Sequence, residues 1–230
     1  MPYKKKNIVR ALFKKLGGRY STELGINLTT KKNKEIFRWF IAAILFGAPI
    51  KERTVKRTYK EFEERNLLCP KRICSAQWED IVDCLDEGGY TRYDFKTADK
   101  LIELSRNLNS YFDGDLNKLH ESAKDLEELK KKLSGLAKGI GETTINIFLR
   151  EMRDVWKLKN VGYAKKALLS AKNIGLIKDE KDIKPVWNEI KSKGWDFIDF
   201  ESALLRLGKN YCFKLRCDKC HFTKYCKLNR

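Results

Sequence analysis

The sequence predicts an all-α protein. Apolar residues recur at the spacing of amphipathic helices along nearly the whole chain, and the long β-branched runs typical of strands are missing. Most of the 14 glycines stand where a predicted helix ends. With 42% hydrophobic residues and five tryptophans in 230 residues, the chain can build one large domain or two small ones.

Ten helices are predicted in chain order. Residues 7–17 form a basic amphipathic helix that ends at Gly17, and residues 34–46 are apolar nearly all round, which predicts a buried central helix. The others are expected at 54–65, 76–86, 95–109, 121–135, 143–156, 161–174, 183–193 and 198–207. Because both termini are basic, we expect the first helix beside the C-terminal helices. The predicted lobes are therefore 34–156 and 1–33 plus 157–230.

The composition favours a polyanionic partner. Lysine and arginine outnumber aspartate and glutamate by 49 to 31, which gives a net charge of +18. A thermophile's charged surface is the alternative, although such a surface is usually closer to balance. No apolar stretch reaches the roughly 18–20 residues that span a bilayer, and the N-terminus has no secretory apolar segment. We expect a soluble protein of the cytoplasm, associated with the nucleoid and not with a membrane.

A glycine turn between two predicted helices is the most informative internal stretch. Gly139 and Gly141 flank the apolar Ile140, which lets the backbone turn tightly and approach another chain. The first N–H groups of the following helix can bind a phosphate, and Lys138 adds charge. An ordinary helical hairpin is the alternative. The predicted DNA contacts are Lys138, Gly139, Gly141, Thr143 and Thr144.

Four of the seven cysteines lie within 15 residues near the C-terminus. Cys212, Cys217, Cys220 and Cys226 have the spacing C-x4-C-x2-C-x5-C, and four thiolates so close can enclose one metal centre. Zinc sites more often use two Cys-x-x-Cys pairs, and only one is present, so an iron–sulfur cluster is favoured over zinc. His221 is interpreted as a bystander. The irregularly spaced cysteines are interpreted as small buried hydrophobes: Cys69, Cys74 and Cys84.

Together, these two motifs resemble the endonuclease III-like DNA glycosylase superfamily. Its helix–hairpin–helix runs Leu-Pro-Gly-Val-Gly-x-Lys-Thr-Ala; residues 139–144 fit it, whereas Ser134 and Gly135 do not. Its cluster loop runs C-x6-C-x2-C-x5-C, and here the first spacing is two residues shorter. The resemblance implies a two-lobed helical fold with a C-terminal [4Fe–4S] loop. It also implies double-stranded DNA with a damaged or modified base as the partner.

The same resemblance implies catalytic positions that this chain fills differently. Family members flip a nucleotide into a cleft, stabilise the sugar cation with an aspartate and, when bifunctional, form a Schiff base with a lysine. The lysine position falls on Thr143, and the aspartate position falls near Asn160. The nearest carboxylate is Asp154, which a predicted helix could instead pair with Arg150. Catalysis is therefore assigned to Asp154, with Asn160 as a polar substitute.

Two tyrosines complete the predicted site. Tyr90 and Tyr93 stand where the family carries a loop between helices, and they would stack on a flipped base or fill the gap that it leaves, unless they are core residues. We expect a monomeric, monofunctional glycosylase that needs no nucleotide cofactor and no divalent metal. The alternative is a catalytically silent iron–sulfur module that recognises DNA structure; an RNA-binding zinc protein is disfavoured by the cysteine spacing.

Overall fold

The computed structural model describes residues 2–228, and within that range the chain is helical without any strand. This confirms the predicted all-α class. Thirteen α-helices lie in the described part of the chain. They are α1 Pro2–Leu16, α2 Tyr20–Glu23, α3 Asn33–Gly47, α4 Glu52–Glu64, α5 Pro70–Ser75, α6 Trp78–Glu87, α7 Asp94–Phe112, α8 Leu116–Glu121, α9 Leu126–Ser134, α10 Glu142–Met152, α11 Lys165–Asn173, α12 Ile183–Ile190 and α13 Phe197–Asn210.

Three helices were not predicted, and several boundaries moved. The helices α2, α5 and α8 have only four to six residues, too few to show a period in the sequence. The helix predicted to begin at 121 begins at 126 instead, because the Asp125 side chain accepts a hydrogen bond from the Glu128 N–H at 2.8 Å and caps it. The helix predicted to reach 156 ends at Met152.

The chain forms two compact units, one of which is Leu24–Val161 and the other the described residues on either side of it. The sequence predicted that the middle unit would begin at 34 and end at 156. Residues 24–33 join the middle unit because the Asn27 N–H donates to Glu35 at 2.8 Å and the Asn33 amide donates to the Gly114 carbonyl at 2.7 Å. At the other boundary, the Arg153 guanidinium donates to the Val161 carbonyl at 3.3 Å.

The core of the middle unit is built around α3, which is buried over nearly all its length as predicted. The α3 helix packs closely on α10: the Trp39 indole N–H donates to the Phe148 carbonyl at 3.1 Å, and the rings of Phe40 and Phe148 lie 4.7 Å apart. Gly47 allows this approach, since a Cβ there would lie 2.3 Å from the Thr144 hydroxyl. The start of α10 is therefore packed closely against the buried helix α3.

The other unit packs α1 against α12 and α13, and α11 against α13. The backbones of α11 and α13 approach each other closely at Gly208, which has no side chain. A Cβ on Gly208 would lie 1.9 Å from the Lys166 carbonyl oxygen. The buried Arg206 of α13 donates to the Leu16 carbonyl at 2.8 Å and pairs with Glu23 at 2.8 Å, which fixes the end of α1. The C-terminal cysteine loop follows α13 directly.

None of the helices within residues 2–228 is long and apolar enough to cross a membrane.

Candidate nucleic-acid interface and cysteine loop

The glycine turn connects α9 to α10 in the middle unit. Gly139 has a φ of +85°, in the left-handed region that favours glycine, whereas the next residue, Ile140, is 2% exposed and anchors the turn in the core. The Ser134 hydroxyl, at the end of α9, donates to the Ile140 carbonyl at 2.8 Å. Ser134 departs from the family motif, yet it closes this turn across six residues.

A single face of α7 holds the turn in place. The Asn107 amide donates to the Leu136 carbonyl at 2.9 Å, and the Lys138 N–H donates to the Glu103 carboxylate at 3.0 Å. Residues 103 and 107 are one helical turn apart, so both contacts come from the same side of α7. The sequence did not predict these anchors, because each lies far along the chain from its partner. The separation is 29 residues for Asn107 and Leu136 and 35 residues for Glu103 and Lys138, and only the tertiary fold brings them together.

The N-terminus of α10 is open. Gly141 precedes the helix in an extended conformation, makes no side-chain cap, and has nothing within 4 Å of where a Cβ would stand. The first backbone hydrogen bond runs from the Ile145 N–H to the Gly141 carbonyl at 3.1 Å, which leaves the preceding N–H groups of the helix without an intrahelical partner. Such groups, at the positive end of the helix dipole, are suited to an anion.

Four of the five predicted DNA contacts are exposed: Lys138, Gly139, Gly141 and Thr143. Thr144 is the exception, because its side chain is buried and its hydroxyl faces Gly47 of α3. The hydroxyl of Thr144 therefore serves the packing of α10 on α3, and this residue offers a ligand only its backbone N–H.

The predicted tyrosine pair is divided between core and surface. Tyr90 is 1% exposed, its hydroxyl donates to the Leu45 carbonyl at 3.0 Å, and burial raises its pKa. It is a core residue and cannot stack on a base in this conformation. Tyr93 is half-buried, with its ring 6.4 Å from that of Tyr90 and 5.4 Å from the Arg92 guanidinium.

The two catalytic candidates lie in the segment after α10. Asp154 is exposed in the turn that follows Met152, so it does not share a helix with Arg150 as the sequence suggested. Asn160 is exposed and has a φ of +60°. The buried guanidinium of Arg150 lies 3.9 Å from the Glu151 carboxylate.

The four clustered cysteines line one cavity in the other unit, together with Asn173, Tyr211, Leu215, Thr223 and Leu228. Short 3-10 turns begin at Cys212 and Cys217. Phe222 is 1% exposed and fixes the middle of the loop on the core, while the Lys227 N–H donates to the Asn173 carbonyl at 2.7 Å and fixes its end. The four cysteines therefore share one cavity, in a loop that Phe222 and the Lys227 N–H attach to the rest of the unit.

Neighbouring cysteines influence the ionisation of two of the four thiols. Burial raises the pKa of Cys212 and of Cys220, and the neighbouring cysteines raise both further. As positioned within residues 2–228, no three Cys, His, Asp or Glu side chains form a group that could hold a metal ion. A metal centre would require these thiols to lose protons and draw together, and four sulfur donors suit iron–sulfur or zinc. His221 is exposed.

The other cysteines differ in burial. Cys84 is fully buried, and burial raises its pKa to about 12, which fits a small core hydrophobe. Cys69 and Cys74 are only half-buried, and the Cys74 sulfur accepts a hydrogen bond from Asn109 at 3.3 Å. The prediction that all three are buried thus holds for Cys84 alone.

No family model and no curated protein matches this chain.

Proposed function

We propose that this chain binds double-stranded DNA through its phosphate backbone, with the glycine turn and the N-terminus of α10 as one contact. The observation that carries the proposal is the exposed, uncapped start of α10 at Gly141, beside the exposed Lys138, in a chain of net charge +18. The fold does not require a glycine at 141, since a side chain there would meet nothing. A glycine that the fold leaves open is suited to the close approach of a phosphate.

This contact would position the protein on DNA without reading sequence. Backbone N–H groups and a lysine bind phosphate oxygens, which are the same at every base pair. The affinity should therefore fall steeply as salt rises, because each neutralised phosphate releases counterions.

Titration of a fluorescent duplex at several salt concentrations tests the proposal. We expect Lys138→Gln to weaken binding and to reduce the salt slope by about one. Lys71→Gln, an exposed lysine on α5, removes the same charge elsewhere and should have little effect. Salt-independent binding, or equal losses in the two variants, would count against the turn as the contact.

We also propose that Cys212, Cys217, Cys220 and Cys226 hold a [4Fe–4S] cluster. When bound, the cluster would join four points of the loop and keep its exposed cations, Lys214, Arg216, Lys219, Lys224 and Lys227, in place for phosphates. Anaerobic purification should give a brown protein absorbing near about 400 nm. Cys217→Ser should lose the colour and Cys69→Ala should keep it. A colourless, zinc-loaded wild type would refute the cluster.

Base excision is the second candidate, by resemblance to the endonuclease III-like superfamily. The observation that favours it is the exposed carboxylate of Asp154, directly after the second helix of the hairpin. Such an enzyme would hydrolyse the N-glycosidic bond of a damaged base without a Schiff base, since Thr143 stands at the lysine position. Its rival is a catalytically silent DNA-binding module.

A panel of duplexes, each with one lesion, separates these two candidates. A glycosylase leaves an abasic site that alkali cleaves, and Asp154→Asn should abolish this cleavage while duplex binding persists. Borohydride should trap no covalent complex. If no lesion in a broad panel yields an abasic site while the duplex is bound, the silent module is correct.

A further inference from the structure

One face of α7 contacts the glycine turn at three successive places. Asn107 reaches the Leu136 carbonyl, Glu103 reaches the Lys138 N–H, and one helical turn earlier Lys100 lies against Gly139. A Cβ on Gly139 would stand 3.1 Å from the Cε atom of Lys100 and 3.5 Å from its Nζ atom. The absence of a side chain at Gly139 therefore leaves the room that the Lys100 side chain occupies.

Lys100 differs from the two anchors beside it. Asn107 and Glu103 each satisfy a backbone group of the turn, whereas Lys100 has no hydrogen-bond or ion-pair partner among residues 2–228. It is half-buried, and burial lowers its pKa with no carboxylate to raise it. The ammonium group of Lys100 is therefore partly desolvated, and it has no ion-pair partner among the described residues.

We propose that Lys100 is the cation that holds a DNA phosphate at the glycine turn, beside the N–H groups that follow Gly139. This inference rests on the proposed DNA binding. Lys100 comes from a different helix than the hairpin, so neither the hairpin motif nor its spacing indicates it. Its packed stem is already ordered, so binding a phosphate costs it less side-chain entropy than it costs the exposed Lys138.

The partner is a phosphodiester backbone rather than a carboxylate-bearing protein. The ammonium group of Lys100 lies beside Gly139, and the open start of α10 follows two residues later at Gly141. Together they would offer a positive charge and several N–H donors to one compact anion. The Glu103 carboxylate accepts the Lys138 N–H and forms no ion pair with Lys100 among the described residues.

Salt-dependent duplex binding with matched variants tests this assignment. We expect Lys100→Met, which keeps the apolar stem, to weaken binding about tenfold and to reduce the salt slope by about one. Lys100→Arg keeps the charge and should retain most of the affinity. Lys71→Met is the control for charge elsewhere on the same unit, and thermal melting checks that each variant folds.

The pH dependence supplies a second measurement. Because the pKa of Lys100 is lowered, its charge is lost at a lower pH than that of an ordinary lysine. As pH rises, wild-type affinity for the duplex should therefore begin to fall before the usual lysine pKa is reached, whereas the affinity of Lys100→Arg should stay constant up to that pH. Equal binding by Lys100→Met and Lys71→Met, with a loss in Lys138→Gln, would overturn the role of Lys100 and leave the DNA-binding proposal intact. A wild type that binds no duplex would instead refute the DNA-binding proposal itself.

Discussion

The glycine turn and the cysteine loop are both proposed to contact DNA, but their order comes from different sources. The turn is held by protein: Ser134, Glu103 and Asn107 satisfy its backbone, and Ile140 is buried. The cysteine loop consists of short 3-10 turns, with Leu215 78% exposed at a φ of +51°. A turn built into a core is preformed, whereas the loop would gain comparable order from the proposed cluster among its four cysteines.

The largest expected effect lies in the packing beneath the cysteine loop. Gly208→Ala places a methyl group against the Lys166 carbonyl and should force α11 and α13 apart, at a cost of about 3 kcal/mol or more in the free energy of unfolding. Since Cys212 follows α13 closely, the variant should also retain less iron. Urea unfolding and iron content measure both.

The matched control is Gly162→Ala, where a Cβ would meet nothing within 4 Å. This change should alter stability by no more than about 0.5 kcal/mol. Equal stabilities of the two variants would show that α11 and α13 are not packed backbone to backbone.

Loss of the proposed cluster should loosen the cysteine loop and leave the glycine turn unchanged. In Cys217→Ser, we expect trypsin to cleave after the exposed Lys214 and Lys219 roughly tenfold faster than in the wild type, because local opening controls proteolysis. Cleavage after Lys138 should not change. Mass spectrometry of the fragments identifies the cleavage sites. Faster cleavage in both the loop and the turn would mean that the order of the turn also depends on the cluster.

Substitutions of Gly139 and Gly141 in the turn should change the free energy of unfolding in opposite directions. Gly139→Ala forces a Cβ into the left-handed region and against Lys100, and it should cost about 1–2 kcal/mol. Gly141→Ser supplies a preferred helix cap in open space and should stabilise the protein by a few tenths of a kcal/mol. Both changes should weaken duplex binding.

Chemical denaturation and duplex titration of the same two variants give the comparison. If Gly141→Ser stabilised the protein and bound DNA as the wild type does, the open start of α10 would not be a phosphate contact.

The smallest effect concerns acid sensitivity of the middle unit. His120 stacks on Trp156 with ring centroids 4.6 Å apart, and burial lowers its pKa while Glu121 partly opposes this. As pH falls through about 6.5, His120 therefore takes up a proton in the unfolded chain before it does so in the folded chain. Stability should therefore decline as pH falls from that value towards the lowered pKa. His120→Gln should remove this part of the decline in thermal melts, and an unchanged profile would exclude His120 as its source.

Long elements and local motifs were predictable, and tertiary contacts were not. The buried helix α3 was predictable because its apolar residues extend around the whole helix. The net charge of +18 was also known from the sequence, because it depends on composition and not on the fold. The core position of Thr144 was missed, and the sequence left that of Tyr90 as one of two alternatives, because burial depends on what packs on a residue: Gly47 for Thr144 and Leu45 for Tyr90.

The sequence by itself determined the helical class, the glycine turn and the clustered cysteines, because each depends on residues within a few helical turns of one another. Only the tertiary structure decided which residues serve these features. Lys100, Glu103 and Asn107 form one face of α7, but nothing in their spacing indicates that a turn about 30 residues later along the chain packs on that face. Long-range packing selects among helix faces that look alike in sequence, and here it placed an unpaired lysine beside a glycine.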